Sequence, residues 1–128
     1  MIHTAKWYTL AAEQGDADSQ FKIGSFYREG IGIPENINAA VQWFKKAAEQ
    51  GHSDSMMHLS ISYFSGHPLK MDHTAAYMWA EIAQIDGNVK GFNVKKYMAV
   101  LESAMNRSQI KKAKKLAREC IAEDYKEC

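Results

Sequence analysis

The sequence predicts an all-α fold: a solenoid of stacked antiparallel helix hairpins, about seven helices in all, with a capping helix at the C-terminus. Three observations point there. The sequence repeats itself every thirty-six residues, apolar residues within each period recur at three and four, and a glycine closes each apolar run.

The repeat is read directly. AAEQG occupies residues 11–15 and again 47–51, and a weaker copy, AQIDG, occupies 83–87. Trp7, Trp43 and Trp79 keep the same register, as do Asp18 with Asp54, Ser19 with Ser55, Tyr27 with Tyr63 and Gly30 with Gly66. Small alanines on one side of a helix let a neighbouring helix approach closely, and the tryptophan fills the wider gap between hairpins.

The first helix is expected near 3–14, with Trp7, Tyr8 and Ala11 on one side and Gly15 at its end. The second runs near 17–29 and gives way to a loop from Gly30 to Pro34. Asn36, a good N-cap, opens the third near 36–50, ahead of Ala39, Ala40, Trp43, Phe44, Ala47 and Ala48, and Gly51 ends it. The fourth, near 53–65, repeats the second and is followed by the loop from Gly66 to Pro68. Asp72 opens the fifth near 72–86, before Ala75, Ala76, Trp79 and Ala83, and Gly87 stops it. The sixth, near 90–105, is a degenerate copy of the second and fourth. The seventh, near 107–125, begins at Asn106 and Gln109, which have capping-box spacing. Ile110, Ala113, Leu116, Ala117, Cys120 and Ile121 form its apolar stripe, opposite Lys111, Lys112, Lys114, Lys115 and Arg118. The chain is one domain: a half repeat at 1–15, repeats at 16–51 and 52–87, and a degenerate capping hairpin at 88–128.

Composition agrees with a globular helical protein, at 46% hydrophobic and 24% charged residues. No stretch approaches the apolar length of a membrane helix, and the opening MIHTAKWYTLAAEQG lacks the basic and apolar regions of a signal peptide. Cytoplasm is therefore the default location, with export or a periplasmic site in play if sequence precedes it. Cys120 and Cys128, placed on one continuing helix, would lie roughly 12 Å apart, too far for a disulfide. A buried thiol and a frayed-tail thiol are expected instead. The net charge of +1 hides an asymmetry: residues 1–87 carry six basic and ten acidic side chains, and residues 88–118 carry nine basic and one acidic.

Ala40, Trp43, Phe44, Ala47, Ala48, Glu49, Gln50 and Gly51, with Ile23, Gly24, Tyr27 and Gly30, give a pattern that resembles the Sel-1-like repeat, a relative of the tetratricopeptide repeat. A tetratricopeptide unit is about 34 residues, shorter than this one. The resemblance covers roughly residues 4–87, and Met105 to Cys120 is similar to a capping end of such proteins. Thr4, Ser60, Gln84 and Ile85 depart from the pattern and are expected to weaken single contacts.

The resemblance implies a right-handed solenoid and a non-enzymatic adaptor or scaffold that binds a peptide or protein on the concave face lined by the first helix of each hairpin. Asp18, Phe21, Lys22, Ser25, Arg28 and Glu29 are expected to face that groove, with Asp54, Met57, His58, Ile61, Phe64 and Ser65 one period on. Lys90, Asn93, Val94 and Tyr97 follow in the degenerate copy. Phe21, Lys22, Ser25, Arg28, Met57, His58, Ile61, Phe64 and Tyr97 are the candidate partner-binding residues. Methionine beside aromatics suits adaptable apolar binding, but Met57, Ile61 and Phe64 read equally well as core. An alternative function is binding of acidic partners, nucleic acid or an anionic membrane surface, through the basic patch Lys111, Lys112, Lys114, Lys115 and Arg118. The uncovered apolar side of the first helix is expected to be covered by a neighbour, by a second copy in a homodimer through that end, or by upstream sequence. His52 with His58, and His67 with His73, are spaced six apart and share no helix face, so no metal site is expected. No catalytic constellation and no cofactor motif is found.

Overall fold

The computed structural model describes residues 2–87, 89, 92–126 and 128, and for residues 2 and 3 the backbone alone. Seven helices follow one another among them: α1 (Ile2–Glu13), α2 (Ala17–Glu29), α3 (Ile37–Ala48), α4 (Ser53–Ser65), α5 (His73–Asp86), α6 (Val94–Ser103) and α7 (Arg107–Ala122). α2 pairs with α3 and α4 with α5, forming two hairpins; α1 lies against α2, α3 joins the hairpins through α4, and α6 and α7 both lean on α5. This is the all-α solenoid the sequence predicts.

The repeat is a repeat of backbone hydrogen bonds. Gln14 N–H donates to Ala11 O, Gly15 to Ala12 O and Asp16 to Ala11 O, and thirty-six residues on Gln50 donates to Ala47 O, Gly51 to Ala48 O and His52 to Ala47 O. AAEQG is therefore a helix-ending turn, in which Gly15 (φ 100°) and Gly51 (φ 87°) take left-handed backbone that a Cβ would strain. These turns stop α3 two residues before the expected end. The loop beyond each first helix repeats as well: Asn36 N–H donates to Tyr27 O and Asp72 N–H to Tyr63 O, tying the next N-cap back to the preceding helix.

The glutamine of the motif has a second use. Gln50 Nε2 donates to Gln20 Oε1 at 2.9 Å, and Gln20 Nε2 donates to Ala12 O at 3.1 Å, so one buried amide links the turns that close α1 and α3. In the weaker third copy Asp86 stands at that position and accepts from the Ser53 hydroxyl of α4.

The alanines of the second helices form part of the core: Ala40, Ala47, Ala48, Ala76, Ala80 and Ala83 are all buried to about the last per cent. Ser60 replaces the close-packing Gly24 without leaving a defect. Gly24 faces Phe44 and the Ala40 carbonyl in the first hairpin, whereas in the second Ala80 holds the register position of Phe44, and the Ser60 hydroxyl donates to Ala76 O and meets Tyr97 Oη at 2.9 Å. A larger residue on one helix is offset by a smaller one on its partner, and the buried hydroxyl is satisfied.

Two elements differ from expectation. α6 begins at Val94, four residues later than the sequence suggests, because the Asn93 side chain accepts from Lys96 N–H and is itself the N-cap. Lys90, a groove candidate, lies outside the described residues. The C-terminus is the larger correction. α7 stops at Ala122, the chain turns back through Asp124 (φ 56°) and Tyr125 (φ 65°), and Cys128 returns to Cys120 as a disulfide with Cα atoms 5.6 Å apart. The separation expected from a continuing helix fails because the helix does not continue.

Candidate partner-binding groove

The first-helix face of α2 and α4 carries a chain of rings. Phe44 and His58 stack with centroids 4.6 Å apart, and Phe21 sits 5.7 Å from Phe44, 5.5 Å from His58 and 4.9 Å from His52. One repeat on, Tyr97 lies edge-on to Phe64 at 6.1 Å and to Phe92 at 5.4 Å. Between the two groups is a pocket of about 340 Å³ lined by Phe21, Asp54, Met57, His58, Ile61, Val89 and Phe92.

Local sequence explains the placement. α4 is capped by His52, whose Nδ1 accepts from Ser55 N–H at 3.3 Å, the position filled by Asp16 in the preceding unit. Using Nδ1 as acceptor leaves Nε2 to donate to Asp18 Oδ1 at 3.1 Å, which joins the starts of α2 and α4. The capping carboxylate of Asp16 is held below its ordinary pKa by the Ser19 hydroxyl and backbone N–H.

His58 is fixed in one protonation state by its neighbours. Arg28 Nη1 donates to Nδ1 at 2.7 Å, so that nitrogen carries no proton. Burial, and then the Arg28 charge, pull its pKa from the ordinary 6.5 to about 4. An unfolded chain thus takes up a proton near pH 6.5 that the folded chain refuses until about pH 4, so stability is complete above 6.5 and falls as pH drops through that window. After discounting for solvent around a half-buried ring, the loss is about 1–2 kcal/mol. Thermal unfolding at pH 7.5 and pH 4.5 is expected to show this loss in the parent chain and much less in His58→Gln. Equal acid sensitivity in the two would refute the assignment.

The candidate residues divide. Phe21, Met57, His58 and Ile61 line the one pocket, and Arg28 reaches it through His58. Phe64 and Tyr97 flank it through the second ring group, and burial pushes the Tyr97 phenol above its usual range. Lys22 is exposed on α2. The Ser25 hydroxyl donates to Phe21 O within its own helix. Met57, only 3% exposed, belongs to the core and offers the pocket no more than an edge, whereas Ile61 is 37% exposed. Sequence reasoning missed Val89 and Phe92, which lie before α6 in the degenerate copy and are not among the groove positions drawn from it. It also missed His52 as a cap, although its offset of thirty-six from Asp16 carried the signal.

The basic candidates stand apart from this groove. Lys111, Lys112, Lys114, Lys115 and Arg118 are all exposed on α7, opposite buried Ala113, Ala117 and Cys120. At the other end Trp7 is 73% exposed on α1.

The Sel1 repeat model matches residues 4–16, 17–52 and 53–83, more than half of the sequence and in nearly the register read above. The chain belongs to the Sel1 repeat family. Solved structures agree. A protective antigen present in uropathogenic Escherichia coli strains, displaying an SLR fold, superposes with a TM-score of 0.82 at 26% identity over 94% of this chain and 26% of that one. A Sel1 repeat protein from Oxalobacter formigenes gives 0.66 at 26% identity over 93% of this chain and 55% of that one. The chain thus spans about a quarter and about half of those proteins. No curated protein matches it. Sel1 repeats in general mediate protein–protein interaction and are non-catalytic scaffolds.

Proposed function

We propose that this Sel1 repeat protein is a non-enzymatic adaptor that holds a peptide or helix of a partner protein on the α2/α4 face, with an apolar side chain seated in the pocket between the two ring groups. The pocket carries the reading: five of its seven lining residues are apolar, two of those on the following loop, and the His58 ring is kept neutral. A pocket that gathers apolar walls and few polar groups on a ready-made frame binds without much ordering cost.

Ile61→Lys tests it, because this side chain is exposed enough to change without opening the core. Tagged parent, Ile61→Lys and a charge-reversed Lys111/Lys112/Lys114/Lys115→Glu variant are compared as baits in extract of the native cell. A protein retained by the parent and the charge-reversed chain but lost from Ile61→Lys is the expected result. Retention by Ile61→Lys together with loss from the charge-reversed chain would instead favour binding of acidic partners through α7.

The Cys120–Cys128 disulfide supports a place in an oxidising compartment, in exchange for the cytoplasm expected from the sequence, because glutathione and thioredoxin keep cytosolic thiols reduced.

A further inference from the structure

We propose that the Cys120–Cys128 disulfide is a redox-sensitive clasp: it holds the C-terminal strap across the Gly51 turn and along the pocket between α5 and α7, and its reduction releases the strap. Three observations converge on this. Tyr125, half-buried, rests on the turn that closes α3, where a Cβ on Gly51 would stand 3.0 Å from Tyr125 Cε2. Tyr125 and Asp124 both take left-handed backbone, disfavoured for residues with a Cβ and maintained only where the surroundings over-determine it. Glu123, Lys126 and Cys128 form one wall of a pocket of about 360 Å³ whose other wall includes Asp72, Thr74, Ala75 and Met78 of the α5 end.

Little else among the described residues holds the strap down. Glu123, Asp124, Lys126 and Cys128 are exposed, and the backbone bonds from Glu123, Asp124 and Tyr125 go only to the last turn of α7. One ring, one turn and one covalent bond fasten the segment, and the bond alone closes the loop.

Reduction needs a thiol donor. A dithiol thiolate attacks Sγ of exposed Cys128, the S–S bond breaks, and buried Cys120 leaves as a thiolate that takes up a proton. The second dithiol sulfur then displaces Cys128 as a thiol and closes to a cyclic disulfide. Two electrons and two protons pass to the protein, and the dithiol is oxidised.

The test compares oxidised protein, dithiothreitol-reduced protein, Cys128→Ser and oxidised Tyr125→Ala by amide NMR. In the first, the Gly51 amide carries the ring-current shift of Tyr125, and the Tyr125 N–H, bonded to Cys120 O at 2.8 Å, is protected from exchange. Reduction and Cys128→Ser are expected to move the Gly51 amide to its Tyr125→Ala position and to speed Tyr125 exchange on the order of tenfold, with α1 to α4 amides otherwise in place. A Gly51 amide unmoved by reduction would overturn the proposal, since packing alone would then hold the strap. Unfolding of the whole chain on reduction would also overturn it, as would two free thiols in the protein purified without reductant.

Discussion

Replacing Trp79 with alanine is expected to cost about 3–5 kcal/mol, the range for emptying a large aromatic site in a packed core. The same change at Trp7 is expected to cost under about 0.5 kcal/mol, as at most surface sites. The two residues share a register and a motif, but Trp79 is 2% exposed and Trp7 73%. Trp43 stands between them, half-buried against a cluster of Ala5, Ala12 and Ile23, with the Lys46 ammonium 4.6 Å from its ring centroid. Against a net stability of about 5–15 kcal/mol for a domain, the Trp79 loss removes a large share of the whole. Denaturant unfolding of the three Trp→Ala variants measures the gradient. Equal losses at 7 and 79 would show that register, not coverage by neighbouring helices, sets the energetics.

The second large effect lies at Gly24. A Cβ there would stand 2.7 and 2.9 Å from Phe44 ring carbons and 3.2 Å from the Ala40 carbonyl. Phe44 cannot give way freely, being 2% exposed and stacked on His58. Gly24→Val is expected to cost about 3 kcal/mol by overpacking. In the second hairpin Ser60 and Ala80 hold the register positions of Gly24 and Phe44, a larger residue paired in register with a smaller one. The double variant Gly24→Ser with Phe44→Ala is therefore expected to lose less than the sum of its single changes, by about 1–2 kcal/mol of coupling. Strict additivity in chemical denaturation would mean that these two positions do not answer one another.

The groove was legible in part. Periodicity placed Phe21, Met57, His58 and Ile61 on one face, and the structure brings those four around one pocket. It did not grade them, since a three-and-four spacing says which way a side chain points and not how deeply a neighbour covers it. Met57 is covered and Ile61 is not. Val89 and Phe92 enter from the degenerate copy, where the period no longer says which side chains face the groove, so the path of the chain after Gly87 brings them in.

Local chemistry wrote the elements. Asn36, Asp72 and Asn106 cap the helices they precede, Gly15, Gly30, Gly51, Gly66 and Gly87 take the left-handed positions, and the thirty-six-residue period makes successive hairpins alike. Such signals act within a few residues, through one backbone N–H or one permitted φ, so a linear sequence contains them whole. Tertiary structure alone decided which tryptophan is buried, what His58 touches and where Cys128 ends. Each depends on residues far apart in sequence meeting in space: Arg28 and Phe44 around His58, Tyr125 on Gly51, and a tail that turns back once α7 has stopped. A rule that extends the local helix into the tail has no means of registering that return.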